Sequence, residues 1–375
     1  MSRTTDPGAL GAGAEPATPI GLGIVGAGAI GTVHAETALR NGLRVAGVWD
    51  MHGARADALV ARIGGHAARS LDELLAMPQM EAVAIAVPNV SHADCAVRAL
   101  ERGKHVLLEK PMAMSVAECD RILAAAKASG RTLQLGFVCR GTPASAAAKR
   151  FVDAGRLGRI YHAKCSIYRR RGIPGLGGWF TTKAQAGGGP LVDLGVHVLD
   201  LVRYLTDKPQ ATRVSGACYA NFGHPIASYR YVDMWAGPPK PDGTFDVEDH
   251  ATALIRCEGG LTIELNATWA MNQPEGALKD GIFLFGDRGG LAFQIFGSEV
   301  TLATEEDGRL VDVKPLLEPG DALGKAWDAQ YLQFTQAIRR GVRPHATGED
   351  GRAIQALLEA IERSSAEGRE LDVQR

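Results

Sequence analysis

The sequence lacks the charge excess and the long apolar runs that mark several classes of protein. Its 41 basic and 42 acidic side chains leave a formal net charge of −1, so no overall field would draw nucleic acid or an anionic membrane surface. No apolar run approaches the length that a membrane-spanning helix needs. We therefore expect neither a nucleic-acid partner nor a membrane partner.

Cysteine is scarce and scattered. The absence of a Cys-x-x-Cys pair argues against a zinc site, and the wide spacing is unlike a disulfide framework. The six cysteines are Cys95, Cys119, Cys139, Cys165, Cys218 and Cys257. We expect reduced thiols, no bound metal and a cytoplasmic location. Residues 1–19, rich in Gly, Ala, Thr and Pro, lack an apolar core and the apolar region of a secretory signal, so we predict a disordered tail there.

A glycine-rich motif follows the first apolar run of the chain. The apolar run covers residues 20–25, a helical pattern covers about 32–40, and between them lies Gly26-Ala27-Gly28-Ala29-Ile30-Gly31. In this setting Gly26 permits a tight turn, Gly28 lets the backbone approach a pyrophosphate, and Gly31 allows close packing of helix on strand. Amides at the start of the helix would meet the phosphates. An ordinary glycine-rich turn is the alternative, which the position between strand and helix disfavours.

Asp50 ends the next apolar stretch, residues 43–49. A carboxylate about 20 positions beyond the glycines lies where the adenine ribose hydroxyls bind, and it would repel a 2′-phosphate. The sequence therefore predicts NAD as the cofactor. Arg55 could reach a 2′-phosphate, so NADP stays an alternative, although a solvated helix residue is the plainer interpretation of this arginine.

Three further strand-like segments alternate with helical ones. They cover residues 82–87, 105–108 and 132–136. This alternation predicts a doubly wound parallel sheet, in which the carboxyl ends of the strands border the cofactor crevice. Pro88 and Asn89 follow one such end and are expected, with His92, to approach the ribose or the nicotinamide. A helix-capping role is the simpler alternative for Asn89 and for His92.

The motif Glu109-Lys110-Pro111 ends the second of these strands at the same edge. The Lys110 ammonium can donate hydrogen bonds to a substrate hydroxyl and to the cofactor ribose, and its charge would stabilise alkoxide character as hydride leaves. Glu109 is assigned to the cofactor site with it, and a cis bond at Pro111 would aim the lysine side chain. A surface Lys-Pro turn is the alternative.

Asp193 and His197 stand four residues apart at the start of an apolar run. On a helix this spacing places both side chains on one face, about one turn apart. A carboxylate beside an imidazole can hold one ring nitrogen protonated and leave the other free to exchange a proton with a substrate. A helix cap or a surface contact is the common alternative for such a pair.

These motifs resemble those of the Gfo/Idh/MocA family, the glucose–fructose oxidoreductase and inositol dehydrogenase-like enzymes. The resemblance extends from residue 20 to about residue 371, and the ordered set is more specific than any one motif. The matching pieces are Gly26-Ala27-Gly28-Ala29-Ile30-Gly31, Val87-Pro88-Asn89-Val90-Ser91-His92, Glu109-Lys110-Pro111 and Gly188-Gly189-Pro190-Leu191-Val192-Asp193-Leu194-Gly195-Val196-His197. By matching position, the resemblance implies that Lys110, Asp193 and His197 are the catalytic lysine, aspartate and histidine.

The resemblance also implies an α/β chain of two domains: an N-terminal Rossmann sheet, and a C-terminal α+β domain with a large, mainly antiparallel, open-faced sheet. We expect the NAD(P)-binding domain over residues 20–142. A substrate-binding and oligomerisation domain should cover 143–375, with C-terminal helices that pack back on the first domain. Strand-like segments lie at 159–167, 251–256, 261–269 and 281–285, a hairpin-like turn at 257–260, and helical patterns at 327–340 and 351–367. Relatives commonly pair through the open sheet face, so we expect a homodimer or homotetramer.

Arg169 and Trp179 shortly precede the Asp193 motif. An arginine fork can donate to sugar oxygens and an indole offers a flat apolar face, so both are expected at the substrate. Solvation of the arginine and core packing of the tryptophan are the alternatives. The segment 221–245, rich in Pro, Gly and Tyr, is expected to be a lid or an oligomer contact.

We therefore expect an NAD(P)-dependent dehydrogenase that transfers hydride between a nicotinamide and a secondary alcohol of a sugar, glycoside or cyclitol. His197 would take the hydroxyl proton, Lys110 would hold the reacting oxygen, and Asp193 would orient His197 or contact that oxygen. One alternative is a redox-neutral glycoside-processing enzyme that recycles bound NAD. Another is a non-catalytic, dinucleotide-dependent sugar sensor.

Overall fold

The computed structural model describes residues 18–230, 236–274 and 276–374. The predicted tail, residues 1–19, lies outside the described residues except for Thr18 and Pro19, and so does part of the predicted loop 221–245. Within the described ranges, no helix combines the length and the apolar character that crossing a membrane requires.

Six strands near the start of the chain form a parallel sheet. They are β1 (Gly21–Val25), β2 (Arg44–Trp49), β3 (His66–Ala67), β4 (Ala82–Ile85), β5 (His105–Leu108) and β6 (Leu133–Leu135). The helices between them are α1 (Ala29–Arg40), α2 (Gly53–Ile63), α3 (Leu71–Ala76), α4 (His92–Glu101) and α5 (Val116–Ser129). The strand order β3-β2-β1-β4-β5-β6 confirms the predicted doubly wound parallel sheet. The order reverses between β1 and β4, which opens a crevice at their carboxyl ends.

The central strands of this sheet are apolar because helices cover both faces. Every residue of β1 and β4 is buried, as a parallel sheet between two helical layers requires. Helix α1 packs closely on the end of β1, since a Cβ added to Gly31 would stand 1.8 Å from the carbonyl oxygen of Gly26. The helix begins at Ala29, earlier than the predicted start, so its first turn borders the crevice.

Nine strands form the second sheet. They are β7 (Ile160–Tyr168), β8 (Ala211–Tyr219), β9 (His250–Cys257), β10 (Thr262–Thr268), β11 (Gly281–Gly286), β12 (Gly289–Phe293), β13 (Val300–Glu306), β14 (Arg309–Val313) and β15 (Leu371–Asp372). Their order is β14-β13-β12-β11-β7-β10-β9-β8-β15, and only the pair β7 and β10 is parallel. The predicted mainly antiparallel sheet is confirmed.

Helices cover one face of the second sheet and leave the other open. The remaining helices of the described chain are α6 (Pro143–Asp153), α7 (Lys183–Ala186), α8 (Val196–Leu205), α9 (Ala322–Arg340) and α10 (Gly348–Glu367). Where α10 crosses β8, a Cβ added to Gly216 would stand 2.8 Å from a side-chain carbon of Ile361. On the opposite face Tyr219 and Leu254 are 45% and 40% exposed.

The last two helices also contact the helices of the first sheet. The Tyr331 hydroxyl of α9 lies 2.9 Å from Nδ1 of His34 on α1. Arg352 of α10 donates to Asp120 of α5 at 2.6 Å. Both helices begin before the predicted starts because side chains cap them there. Asp321 accepts from the Leu323 amide at the start of α9, and α10 carries a reciprocal capping box between Thr347 and Asp350.

Candidate active site

A cleft of about 1820 Å³ runs between the two sheets. The predicted cofactor residues along its wall are Gly26, Gly28, Ala29, Ile30, Asp50, Arg55, Pro88, Asn89, His92, Glu109 and Lys110. The predicted substrate residues along it are Lys110, Arg169, Trp179, Asp193 and His197. Gly31 is not part of this wall, since it packs behind the turn against Gly26. One cleft therefore gathers residues from positions 26 to 197.

The glycine turn at one end of the cleft has the shape that a dinucleotide needs. Gly26 has φ +98°, a conformation that side chains other than glycine rarely adopt. A Cβ added to Gly28 would meet no atom within 4 Å, so the backbone there faces open space. A phosphate can approach this bare backbone and the first amides of α1. The turn thus fits NAD by its backbone rather than by side-chain contacts.

Asp50 stands at this end of the cleft with its carboxylate held by two backbone amides. Ala27 N donates to Oδ2 and His52 N donates to Oδ1, both at 2.8 Å. Each oxygen keeps a lone pair that can accept a ribose hydroxyl hydrogen. The arrangement fixes Asp50 beside the glycine turn, and its contact with the ribose stays a prediction.

Asn89 and His92 bind the protein's own backbone rather than pointing freely into the cleft. Asn89 Nδ2 donates to the carbonyl oxygen of Ala186 at 2.8 Å. The His92 ring lies between the carbonyl oxygens of Pro111 and Val87, at 2.7 and 3.0 Å, and burial lowers its pKa. The two residues therefore join the loops that surround the cleft.

Lys110 and Asp193 form an ion pair in the middle of the cleft. Lys110 Nζ donates to Oδ1 and to the carbonyl oxygen of Asp193 at 3.0 and 3.1 Å, and the Lys110–Pro111 peptide is cis. Trp269 Nε1 donates to the other carboxylate oxygen at 3.0 Å. Burial alone would raise the pKa of Asp193, but the charges of Lys110 and Arg169 and these hydrogen bonds hold it below its ordinary value. Asp193 is thus a carboxylate at neutral pH.

His197 has a different partner from the predicted one. One carboxylate oxygen of Asp193 accepts a hydrogen bond from Lys110 and the other accepts one from Trp269. His197 Nδ1 instead lies 3.5 Å from the sulfur of Cys139. The prediction that Asp193 directly holds the imidazole does not match this geometry. The reason is local: residues 191–195 form a π-helical turn before α8, so the four-residue spacing does not align side chains as an α-helix would.

His197 is a neutral imidazole in this environment. Burial and then the positive charge of Lys110 lower its pKa to about 3. Burial also raises the pKa of Cys139 to about 12, so the sulfur beside Nδ1 is a thiol. With Nδ1 facing this thiol, Nε2 is the nitrogen that remains for a substrate.

Glu248 caps the turn that carries Asp193, and sequence reasoning missed it. Its Oε1 accepts from the amides of Gly189 and Leu191 at 2.8 and 3.0 Å, which satisfies donors that begin the π-helical turn. A Cβ added to Gly189 would stand 1.9 Å from the Glu248 carbonyl oxygen. Burial raises the pKa of Glu248 to about 7. No local pattern marks this glutamate, because its partners lie far away in the sequence.

A buried ion cluster fixes α8 behind His197. Arg140 donates two hydrogen bonds to Asp200 of α8, at 2.5 and 2.8 Å, and a third to Asp350 at 3.1 Å. Burial opposes the charge on Arg140, but the two carboxylates raise its pKa. Arg140 follows Cys139 directly, so one short turn holds both His197 and the helix that carries it.

Glu109 belongs to a buried network beside Lys110. Its Oε1 lies 3.1 Å from His34 Nε2, and its Oε2 accepts from the Lys110 amide at 3.2 Å. Burial would raise its pKa, but the hydrogen bond and charge of His34, with the charge of Lys110, lower it. Glu109 therefore adds negative charge behind the lysine.

Arg169 and Trp179 occupy the part of the cleft beyond this group. Arg169 follows β7, and its charge acts on both Asp193 and His197. Trp179 is half-buried and packs against Phe180 in a tilted arrangement, with ring centroids 3.9 Å apart. Both side chains border the cleft, so both could contact a molecule bound at Lys110.

Comparison with known proteins identifies the class. Residues 20–137 match the oxidoreductase family with an NAD-binding Rossmann fold, and residues 145–302 match the GFO/IDH/MocA C-terminal domain. The molecule is therefore an oxidoreductase whose first sheet is an NAD-binding Rossmann fold. It belongs to the Gfo/Idh/MocA family, and the resemblance stated from the motifs is confirmed.

Three relatives illustrate the similarity. An uncharacterized oxidoreductase of Rhizobium meliloti is 33% identical over 365 residues, which cover 92% of this chain and 97% of the relative. The D-glucoside 3-dehydrogenase of Escherichia coli strain K12 is 28% identical over 369 residues, 96% and 99% of the two chains. Among solved structures, GenD2 from gentamicin A biosynthesis in complex with NAD has a TM-score of 0.78 and 26% identity, covering 98% of this chain and 100% of GenD2.

Proposed function

We propose that the protein is an NAD-dependent dehydrogenase for a secondary alcohol of a sugar, glycoside or cyclitol. The observation that carries the proposal is the ion pair of Lys110 with Asp193 beside the neutral imidazole of His197, in the same cleft as the glycine turn. The similarity over nearly the full chain to a D-glucoside 3-dehydrogenase supports the choice of a carbohydrate alcohol.

The glycine turn and Asp50 would hold the cofactor, with Pro88, Asn89 and the other cofactor-side residues of the cleft around its ribose and nicotinamide. When bound, NAD supplies the hydride acceptor. Asp50 disfavours a 2′-phosphate through its negative charge, so NAD is proposed over NADP. Arg55, which also borders the cleft, is the residue through which NADP could still be accepted.

Lys110 would bind the reacting oxygen and stabilise its developing negative charge. Asp193 keeps the Lys110 ammonium in place through the 3.0 Å ion pair, and Trp269 keeps Asp193 in place. In this proposal Asp193 orients the lysine rather than His197. Its second contact with Lys110, through the backbone carbonyl, restricts the ammonium further.

His197 would accept the hydroxyl proton at Nε2. Its low pKa keeps Nε2 unprotonated over the neutral range, and it also means that the imidazolium, once formed, gives its proton up readily. In the tautomer whose Nδ1–H donates to the Cys139 sulfur, Nε2 is the free nitrogen that takes the proton. Arg169 and Trp179 would contact the rest of the substrate.

The test is NADH fluorescence of purified protein with added NAD and a panel of inositols, aldoses and glycosides. We expect a rise that depends on one class of alcohol and that is slowed in Lys110→Ala. No rise with any alcohol, under conditions where NAD binding is measured directly, would contradict the proposal and favour either an enzyme that recycles bound NAD or a sensory role.

We further propose two domains, residues 20–142 and 143–375, in a cytoplasmic homodimer or homotetramer. The six free cysteines support a location in a reducing compartment. The exposed Tyr219 and Leu254 on the open sheet face support a subunit interface there. Light scattering on a size-exclusion column should give a dimer or tetramer mass, and Leu254→Glu should shift it toward the monomer. A monomer in the unmodified protein would contradict the oligomer.

A further inference from the structure

Two segments beyond the Lys110 group are joined into one surface, which we term the outer wall, residues 175–181 and 236–244. Lys240 N donates to the carbonyl oxygen of Leu176 at 2.8 Å. Thr181 Oγ1 donates to the carbonyl oxygen of Thr244 at 2.7 Å. The second segment belongs to the predicted loop 221–245, so the described part of that loop contributes to the cleft itself.

Glycines make the joint between the two segments close. A Cβ added to Gly177 would stand 2.3 Å from the Lys240 carbonyl oxygen, and one added to Gly243 would stand 2.0 Å from the Gly177 carbonyl oxygen. Backbone rather than flexible side chains therefore meets at this joint. The position of Lys240 relative to the turn that carries Trp179 is fixed by the main chain.

The outer wall presents a flat apolar group and a cation to the cleft. Trp179 borders the cleft and packs against Phe180 with the two ring planes tilted by 30°. Pro238 and Lys240 are exposed and border the same cleft. An indole packs against the C–H face of a sugar ring, while an ammonium carries three donors for its hydroxyls. Neither group is needed to hold Lys110, Asp193 or His197.

The cleft also has room for more than a cofactor and one ring. Sites for one cofactor or drug-sized ligand span about 300–1,000 Å³, whereas this cleft has about 1820 Å³. If the cofactor takes the upper end of that range, roughly 800 Å³ remains. This remainder is itself the size of a site for a ligand larger than a single sugar ring.

We propose that the outer wall binds the second sugar ring of a glycosidically linked substrate, while the first ring is oxidised at Lys110. The inference rests on the proposed function and narrows its substrate class from sugars, glycosides and cyclitols in general to disaccharides and larger glycosides. Trp179 stacks on the second ring and Lys240 donates to its hydroxyls. A purely apolar aglycone would use the indole but not the ammonium.

The experiment compares cellobiose with methyl β-D-glucoside, which offer two rings and one ring. For each sugar, kcat/KM is measured with saturating NAD, and affinity for the enzyme–NADH complex is measured by titration calorimetry. The variants are Trp179→Ala and Lys240→Ala. Matched controls are Tyr161→Ala, an aromatic residue 48% exposed outside the cleft, and Lys314→Ala, whose ammonium pairs with Glu299.

We expect the unmodified enzyme to prefer cellobiose roughly tenfold by both measures, a factor typical of one aromatic contact with its hydrogen bonds. Trp179→Ala should bring the ratio of the cellobiose value to the methyl β-D-glucoside value close to one. Lys240→Ala should lower this ratio about threefold, and the controls should leave it unchanged. An equal ratio in all proteins would overturn the second-ring subsite. Phenyl β-D-glucoside is compared with methyl β-D-glucoside in the same way. An equal preference for the phenyl glucoside in the unmodified enzyme and in Lys240→Ala would mean that the outer wall binds an apolar aglycone instead of a second sugar ring. Oxidation of inositols alone would overturn only this inference, whereas no oxidation of any alcohol would overturn the proposed function with it.

Discussion

The two sides of the cleft are built in different ways. On the cofactor side, Gly26, Gly28 and Asp50 lie within one strand–helix–strand unit and act largely through backbone shape. On the opposite side, Asp193 and His197 are held by residues that are remote in sequence, among them Trp269. Changes on the cofactor side should therefore alter NAD binding or folding, while changes on the other side should alter turnover with NAD binding intact.

The largest separation of the two sides is expected from His197→Ala. Loss of the proton acceptor should lower kcat by roughly 10²–10⁴-fold, while the dissociation constant for NAD stays unchanged. Steady-state kinetics and calorimetry measure the two quantities. His66→Ala, at an exposed histidine paired with Glu73, should change neither. A His197 variant with full activity, or with weakened NAD binding and normal kcat, would contradict the claim that this side of the cleft governs turnover and not NAD binding.

Two glycine variants separate folding stability from NAD affinity on the cofactor side. In Gly31→Ala the added methyl would stand 1.8 Å from a backbone oxygen, so the free energy of unfolding should fall by about 3 kcal/mol or more. In Gly28→Ala the methyl meets no protein atom and φ is −76°, so stability should hold while NAD affinity falls. Thermal unfolding and calorimetry distinguish these outcomes. Equal stability of the two variants would contradict the packing assigned to Gly31.

Glu248→Gln tests how the turn that carries Asp193 is held. Because the pKa of Glu248 is raised in the folded protein from 4.5 to about 7, folding favours the protonated form. The stabilisation is therefore present below pH 4.5 and is lost as pH rises through 7. Between pH 5 and 8 the unfolding free energy of the unmodified protein should fall by about 2–3 kcal/mol relative to Glu248→Gln. For Glu305→Gln, at an exposed glutamate, the unfolding free energy should change with pH as it does in the unmodified protein. The same pH dependence in Glu248→Gln would contradict the raised pKa of Glu248.

The smallest effect is expected from Trp269→Phe, which removes one hydrogen bond to Asp193 together with part of a fully buried ring. Losing this donor should raise the pKa of Asp193, so the acidic limb of the kcat/KM profile should move to higher pH. At neutral pH, kcat should fall about tenfold, as for one hydrogen bond to a charged group. Phe334→Leu, at a fully buried aromatic ring that does not border the cleft, controls for the loss of buried ring volume. An unmoved acidic limb would mean that Trp269 only fills space.

The sequence alone predicts what depends on short-range patterns. The glycine motif, the lysine after β5 and the pair Asp193 and His197 are recognisable because neighbouring residues define their setting. Four strands of the second sheet are predicted to within one residue at each end. Strand β13 and the edge strand β14 escape prediction because charged residues interrupt their alternation, as in Glu305-Glu306.

The contacts that orient the site could not be predicted, for two physical reasons. The π-helical turn before α8 changes which side chains face one another, and spacing rules assume an α-helix. Cys139 contacts His197 and Trp269 contacts Asp193 only through tertiary packing. The same is true of Glu248, which contacts the turn that carries Asp193. A pattern of residues along one helix does not contain such contacts. The sequence thus predicts residues that border the cleft, and it does not predict their partners.

The most direct test of net hydride transfer is the ratio of NADH released to ketone formed. Purified enzyme is given excess NAD and a sugar that it consumes, NADH is followed by absorbance, and the ketone is trapped and quantified. The account predicts one NADH in solution for each ketone. Consumption of the sugar without accumulation of NADH would contradict it and would indicate an enzyme that recycles bound NAD.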